Sequence, residues 1–287
     1  MTAWTVPAGE WRDRAGRRPS VMADHPGWRL DGEGRLLRLL RSSGVVWLAV
    51  GVPASGGGHT LAFHMVDGDR GADPVVDVAD PAMLDGAPGL REALLAAGPV
   101  ARVRTCDLWD ALVGAVFRCT TPLECARTLY RDAAVGLGAG YDTPMGREWV
   151  FPSPGQILAL PEEVFDAYGL RRVRDRLRSA ASVVRAMRSG WRHLSWNVLY
   201  SCLAQMPRDG PQIAGAAVAD LSGDYRFVVS SDFLVRKQVH ALDPGASWPE
   251  NALRFSFRWQ AMTGMQRSDW TLLLLAHGIR HAPNPVP

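Results

Sequence analysis

Apolar and polar positions divide the 287-residue chain into two stretches of different rhythm. In the first hundred residues, short apolar or alternating runs are punctuated by Gly, Pro and Asp, as strands and turns require. Residues 45–52 and 60–66 predict an antiparallel pair, with Gly56, Gly57 and Gly58 as the turn between them. Residues 36–40 and 88–97 read as helix pieces. From Asp107 onward the spacing turns helical, with short connections. Residues 108–117 form one helix, and 122–134 continue helically after Thr120 and Thr121. Ser153-Pro154-Gly155-Gln156 is a capping-box pattern opening a helix to Leu160, and Pro161-Glu162-Glu163 begins the next, closed by Gly169.

Residues 170–187 predict a long amphipathic helix with Leu170, Val173, Leu177, Ala181 and Val184 on one side. Its arginines read either as a solvated face or as phosphate contacts. Further on come an apolar helix at 197–205, a tight turn at 206–211 and a small-residue helix at 212–221. After the apolar run 225–229, an amphipathic helix occupies 233–242. Ser247-Trp248-Pro249-Glu250 caps another helix, and 269–277 forms an apolar last one. The fold class is therefore α+β: an N-terminal domain, 1–104, with a small antiparallel sheet, then an all-α domain, 105–287, of two helical lobes.

Composition narrows the function classes. Apolar residues make up 47% and charged residues 21%, as in globular domains, and no apolar run is long enough to span a bilayer. Trp4, Glu10 and Asp13 interrupt the start of the chain, so no secretory leader is expected and the cytoplasm is the expected location. Cys106, Cys119, Cys125 and Cys202 show no metal-ligand spacing, so free thiols and no metal are expected. The net charge is +3, and Lys237 is the only lysine among 32 basic residues. Basic and acidic residues balance at 12 each up to Arg104 and stand at 20 against 17 beyond it, which permits nucleic-acid binding without requiring it.

Asp232 stands where the 233–242 helix begins, and by itself it reads first as an N-cap. The order of elements around it adds a second reading. A helix, the hairpin Met206-Pro207-Arg208-Asp209-Gly210-Pro211, a small-residue helix, an apolar loop and an aspartate opening a helix together resemble the helix-hairpin-helix DNA glycosylase superfamily. Asp232 lies 22 residues beyond Gly210, which is similar to the bacterial 3-methyladenine DNA glycosylase II branch. The resemblance runs from Cys106 to Gly278, and a TBP-like sheet domain ahead of the helices fits the same branch.

The resemblance implies roles residue by residue. Arg208, Gly210 and Pro211 would hold a phosphate of double-stranded DNA, with a monovalent cation at the hairpin. Cys119 and Thr120 stand where relatives carry the wedge that fills the gap left by an extruded base, and Arg118, Thr120 and Thr121 would contact DNA there. Gln212, Phe233 and Trp270 would line the base pocket; Trp196, Trp259 and Trp270 also read as core. Asp232 would stabilise an oxocarbenium ion and orient water. Gln212 occupies the position of the Schiff-base lysine of bifunctional relatives, which implies a monofunctional enzyme. No cysteines follow residues 275–281, so no iron–sulfur cluster is implied. The implied protein is a nucleoid-associated monomer excising a damaged, alkylated base.

The hairpin departs from the family pattern. Arg208 replaces a glycine at a positive-φ position, at a cost of about 1 kcal/mol. Asp209 puts an acid beside the expected phosphate. Two other readings stay open at this point: a non-catalytic DNA-binding protein keeping the fold, and an N-glycosidase acting on nucleosides or bulky natural-product adducts.

Overall fold

The computed structural model describes residues 11–13, 16–42, 44–69, 72–230 and 232–280. Trp4, Glu10, Ser231 and the tail beyond 280 lie outside these residues. The N-terminal part contains β1 (Ser20–Val21), β2 (Arg29–Leu30), β3 (Leu36–Ser42), β4 (Val45–Pro53), β5 (His59–Asp67), β6 (Val76–Ala79), α1 (Pro88–Ala97) and β7 (Val100–Val103). Strands β2 to β5 form an antiparallel meander, with Leu39 opposite Leu48 and Ala49 opposite Phe63. A second sheet, ordered β1-β7-β6, is mixed: β1 runs parallel to β7, pairing Ser20 with Val100, and β6 runs antiparallel to it. The expected single antiparallel sheet is thus two sheets. The parallel pair joins residues 80 apart, which no local pattern announces.

Residues 36–40, expected as a helix piece, are strand β3. Leu36 and Leu40 face one core with Trp28, Trp47 and Phe63, while Leu37 and Leu39 face another with Leu48 and Val150. A strand buried on both faces loses the alternation that identifies strands. Even Arg38 is buried, donating from Nη2 to Asp110 Oδ2 at 2.7 Å and to Thr105 Oγ1 at 3.0 Å.

The rest of the chain is mainly helical: α2 (Leu108–Thr120), α3 (Leu123–Leu137), a hairpin of β8 (Ala139–Thr143) and β9 (Gly146–Val150), α4 (Pro154–Ala159), α5 (Glu162–Ala167), α6 (Arg174–Met187), α7 (Trp196–Leu203), α8 (Gly210–Ser222), α9 (Phe233–Leu242), α10 (Ala252–Thr263) and α11 (Arg267–Arg280). The β8–β9 hairpin was not expected within a helical part. Its Val150, Tyr141 and Met145 cover the outer face of the meander. Helix α2 is apolar around nearly its whole circumference and runs through the middle of one lobe, with Asp107 Oδ1 capping it through Asp110 N at 3.0 Å. The capping box of α4 is complete: Gln156 N donates to Ser153 Oγ at 3.3 Å, and Ser153 N to Gln156 Oε1 at 2.8 Å.

Two helical cores follow. One gathers α2, α3, α6, α7 and most of α8; the other gathers α9, α10 and α11 with α1 and Met22, Ala79 and Val100 of the N-terminal part. The second core therefore draws on residues from both sides of Arg104. Ser247–Glu250 does not cap α10. Asn251 does, accepting from Leu253 N at 3.0 Å and Arg254 N at 3.1 Å, while Trp248 packs inward and donates to Asp243 Oδ2 at 3.0 Å.

Candidate active site

The turn from α7 to α8 is tight for a local reason. A side chain at Gly210 would bring its Cβ to 2.6 Å from the Ala204 carbonyl oxygen, so only glycine lets the two helices approach there. Arg208 and Asp209, ahead of it, both take the left-handed conformation, with φ of 55° and 44°. The strain expected at Arg208 is therefore present, and Asp209 shares it. Farther along α8, a side chain at Gly215 would collide with the carbonyl of Phe227. That close approach presses the single 3-10 turn Tyr225–Phe227 onto α8 and directs the following segment toward α9.

Asp232 caps α9. Its Oδ1 accepts from Leu234 N at 2.8 Å and Val235 N at 3.2 Å, and among the described residues Oδ2 has no partner. Burial pushes its carboxyl above the ordinary carboxylate range, against the opposing pull of those two N–H groups, Arg236 and Arg118. The N-cap reading holds: the helix takes one carboxylate oxygen, and the other has no hydrogen-bond partner among the described residues.

Cys119 lies near the end of α2, within electrostatic reach of Asp232 and Asp209. Although the residue as a whole reaches the surface, burial of its thiol pushes the pKa up to about 11. Arg118 and Arg176 oppose that rise, whereas Asp232 and Asp209 add to it. The end of α2, the hairpin and the head of α9 therefore share one locality. Thr120 lies beside Cys119, but its Oγ1 turns back to donate to Val116 O at 2.6 Å, 3.3 Å from Thr121 Oγ1. Pro211 and Gln212 are exposed on the first turn of α8, and Phe233, beside Asp232, is 66% exposed.

Two expected site residues are turned away from the surface. Arg118 faces inward: its Nη2 meets Asp220 Oδ2 at 2.6 Å and its Nη1 meets Asp24 Oδ2 at 3.1 Å, which occupies the guanidinium expected to contact DNA. Trp270 is 0% exposed and packs edge-on against Trp259 at 6.3 Å, so it supports the second core instead of lining a pocket. Trp259 is buried with it, while Trp196 is partly exposed.

Other residues at the site escaped the sequence reading. Arg176 on α6 donates to Asp209 Oδ2 through Nε at 3.0 Å and through Nη2, and Asp175 pairs with Arg208 Nη1 at 3.2 Å. On α10, Leu253 and Phe257 expose their side chains in line with Gln260, which donates to Ser230 Oγ at 3.2 Å. The helical period of α10 was legible, but nothing local tied it to Asp232. In the free protein two arginines and two aspartates balance at the hairpin, so its side chains present no unmatched negative charge to the monovalent cation that the resemblance implies.

No family model matches the chain, and neither does any curated protein. Solved structures do match it. MBOgg1 in complex with a low affinity DNA ligand aligns at 13% identity over 90% of each chain, with a TM-score of 0.67. The 8-oxoguanine glycosylase/lyase of Clostridium acetobutylicum, in complex with double-stranded DNA containing cytosine opposite 8-oxoguanine, aligns at 11% identity. That match covers 90% of this chain and 89% of that one, with a TM-score of 0.66. The 3-methyladenine DNA glycosylase of Archaeoglobus fulgidus aligns at 13% identity over 89% of this chain and 90% of its own, also at 0.66. The chain therefore has the helix-hairpin-helix DNA glycosylase fold. The expected preference for the alkylated-base branch is not seen, because 8-oxoguanine and 3-methyladenine enzymes align equally well.

Proposed function

We propose that this protein is a monofunctional DNA N-glycosylase of base-excision repair that removes an alkylated base. The observation that carries this reading is the Asp232 carboxylate at the head of α9, with Oδ1 tied to two helix N–H groups and burial raising its pKa. The solved structures that share the fold, two of them with DNA bound, support the same reading.

In this mechanism the hairpin seats a phosphate, the duplex docks across the cleft and the damaged nucleotide is extruded. Breaking the N-glycosidic bond builds positive charge on the sugar. Asp232, in its carboxylate form, stabilises that charge in a site of low dielectric and orients the attacking water. Its hydrogen bonds to α9 fix the carboxylate in advance. Phe233 offers a ring to the extruded base. An alkylated base leaves without a strong acid, which suits a cleft whose thiol at Cys119 stays protonated.

The Clostridium acetobutylicum neighbour is described as a glycosylase/lyase. Here Gln212 stands at the nucleophile position, and Lys237, the only lysine, is exposed on α9. A carboxamide forms no Schiff base, so strand cleavage is not expected. The test is a panel of duplexes bearing alkylated, deaminated and oxidised bases, with released base read by mass spectrometry, plus borohydride trapping on abasic DNA. Release from an alkylated duplex without a covalent adduct is expected. No release from any duplex would overturn the glycosylase reading, and a trapped adduct would overturn the monofunctional one.

A further inference from the structure

The hairpin tip carries an acid where a phosphate is to dock, and the structure provides a way around that conflict. Arg208 and Asp209 at the tip cross with Asp175 and Arg176 on the first turn of α6, each guanidinium meeting the other segment's carboxylate. All four side chains reach solvent; Asp209 is 42% and Arg208 61% exposed. Ion pairs at such exposure hold weakly and are screened by salt. Among the described residues, the backbone N–H groups of Arg208 and Asp209 have no acceptor. The tip thus offers two guanidiniums and two free N–H donors, with two carboxylates in the place of the anion.

We propose that Arg176 and Arg208 form a phosphodiester-binding pair, and that Asp209 and Asp175 hold its charge until a DNA phosphate takes over. The inference rests on the DNA-binding reading above and adds Arg176 of α6 to the binding surface. The bidentate geometry of Arg176 on one carboxylate oxygen is transferable to a phosphate oxygen, since both present the same kind of acceptor to a planar guanidinium. In the free protein the two acids neutralise the tip. On docking, each arginine exchanges a carboxylate for a phosphate, and the released carboxylate recruits a cation from solution. Net counterion release at the hairpin is then close to zero in the wild type. Removing an acid exposes the full contribution of its arginine.

Asp209→Asn tests this without disturbing the fold, because asparagine tolerates the left-handed conformation at this position. The measurement is fluorescence anisotropy of a labelled duplex titrated with protein between about 50 and 200 mM salt. Each added phosphate contact steepens the plot of log affinity against log salt by about 0.9, equivalent to roughly eightfold tighter binding at about 0.1 M salt. Asp209→Asn is expected to show that gain, and Arg176→Gln in the same background to cancel it. An unchanged slope, or weaker binding by Asp209→Asn, would overturn the exchange and leave the four residues as hairpin scaffolding. A wild-type protein that binds no duplex would instead overturn the DNA reading on which the inference stands.

Discussion

Two clusters in this molecule are built from the same parts, two arginines and two aspartates, yet only one faces solvent. In the interior, Arg102 meets Asp24 at 3.1 Å and Asp220 at 2.6 Å, and Arg118 meets the same two acids at the same distances. Tyr225 completes this cluster, its hydroxyl accepting from Arg102 Nε at 2.6 Å. At the surface, Arg176 and Arg208 face Asp209 and Asp175 across the hairpin. Burial makes the difference. Inside, each charge has given up its hydration and depends on its partners; outside, water stands ready to replace them. The interior cluster ties Asp24 and Arg102 of the N-terminal part to α2 and α8, whereas the surface cluster is free to exchange partners.

The largest effect expected from this contrast follows Asp220→Ala. It leaves two buried guanidiniums short of a carboxylate and should cost about 3–5 kcal/mol in a denaturant titration. Burial alone would raise the carboxyl of Asp220, but Arg118 and Arg102 hold it below its ordinary range. Its contribution to stability is therefore present above about pH 4 and is lost as pH falls through the lowered value of the folded state. Loss of less than about 1 kcal/mol would mean that the two clusters do not differ as argued.

Arg118→Gln should cost less, about 2 kcal/mol, because Arg102 still faces both acids. It should leave the salt dependence of duplex binding unchanged. A shallower salt slope would return Arg118 to the DNA surface and break the contrast directly. Arg208→Gly is smaller again. It relieves the left-handed strain by about 1 kcal/mol and gives up only an exposed ion pair, so thermal stability should rise slightly while duplex affinity falls. Lower stability in this variant would show that the Arg208–Asp175 pair holds the hairpin.

The smallest expected change in stability is at Asp232. A carboxyl raised by burial disfavours folding in its charged form, so at neutral pH Asp232→Asn should leave stability unchanged or higher, with asparagine still capping α9. In the wild type, excision should slow as pH falls through the raised value of Asp232, above the ordinary 4 or so for an aspartate. An acid limb at or below the ordinary value would contradict the burial argument.

The helical half was legible because its signals are local. The capping box at Ser153, the turn at Gly169, and the start of α9 at Phe233 all lie within a few residues of the feature they define. The same locality made Asp232 readable as a helix cap, while its catalytic role was suggested only by the order of elements around it. What stayed hidden depends on distant partners. Strand β3 looked helical because both of its faces are covered, one of them by a hairpin that begins a hundred residues later. Arg118 and Arg176 are both arginines on helices near Cys119. Only the acids contributed by distant segments, Asp24 and Asp220 for one and Asp209 for the other, separate an interior strut from a docking residue. Trp270 illustrates the same point, since an aromatic near the end of the chain reads equally as pocket or core until its neighbours are known.

If Asp232 performs the chemistry, its loss must show in single-turnover release of the base. Wild-type protein and Asp232→Asn would be mixed in excess with the duplex that releases base fastest, with free base followed by mass spectrometry and duplex affinity measured alongside. Asp232→Asn is expected to lose release by about 10²–10³-fold at nearly unchanged affinity, as when an electrostatic group used in the transition state is removed. Release by Asp232→Asn at the wild-type rate would contradict that role.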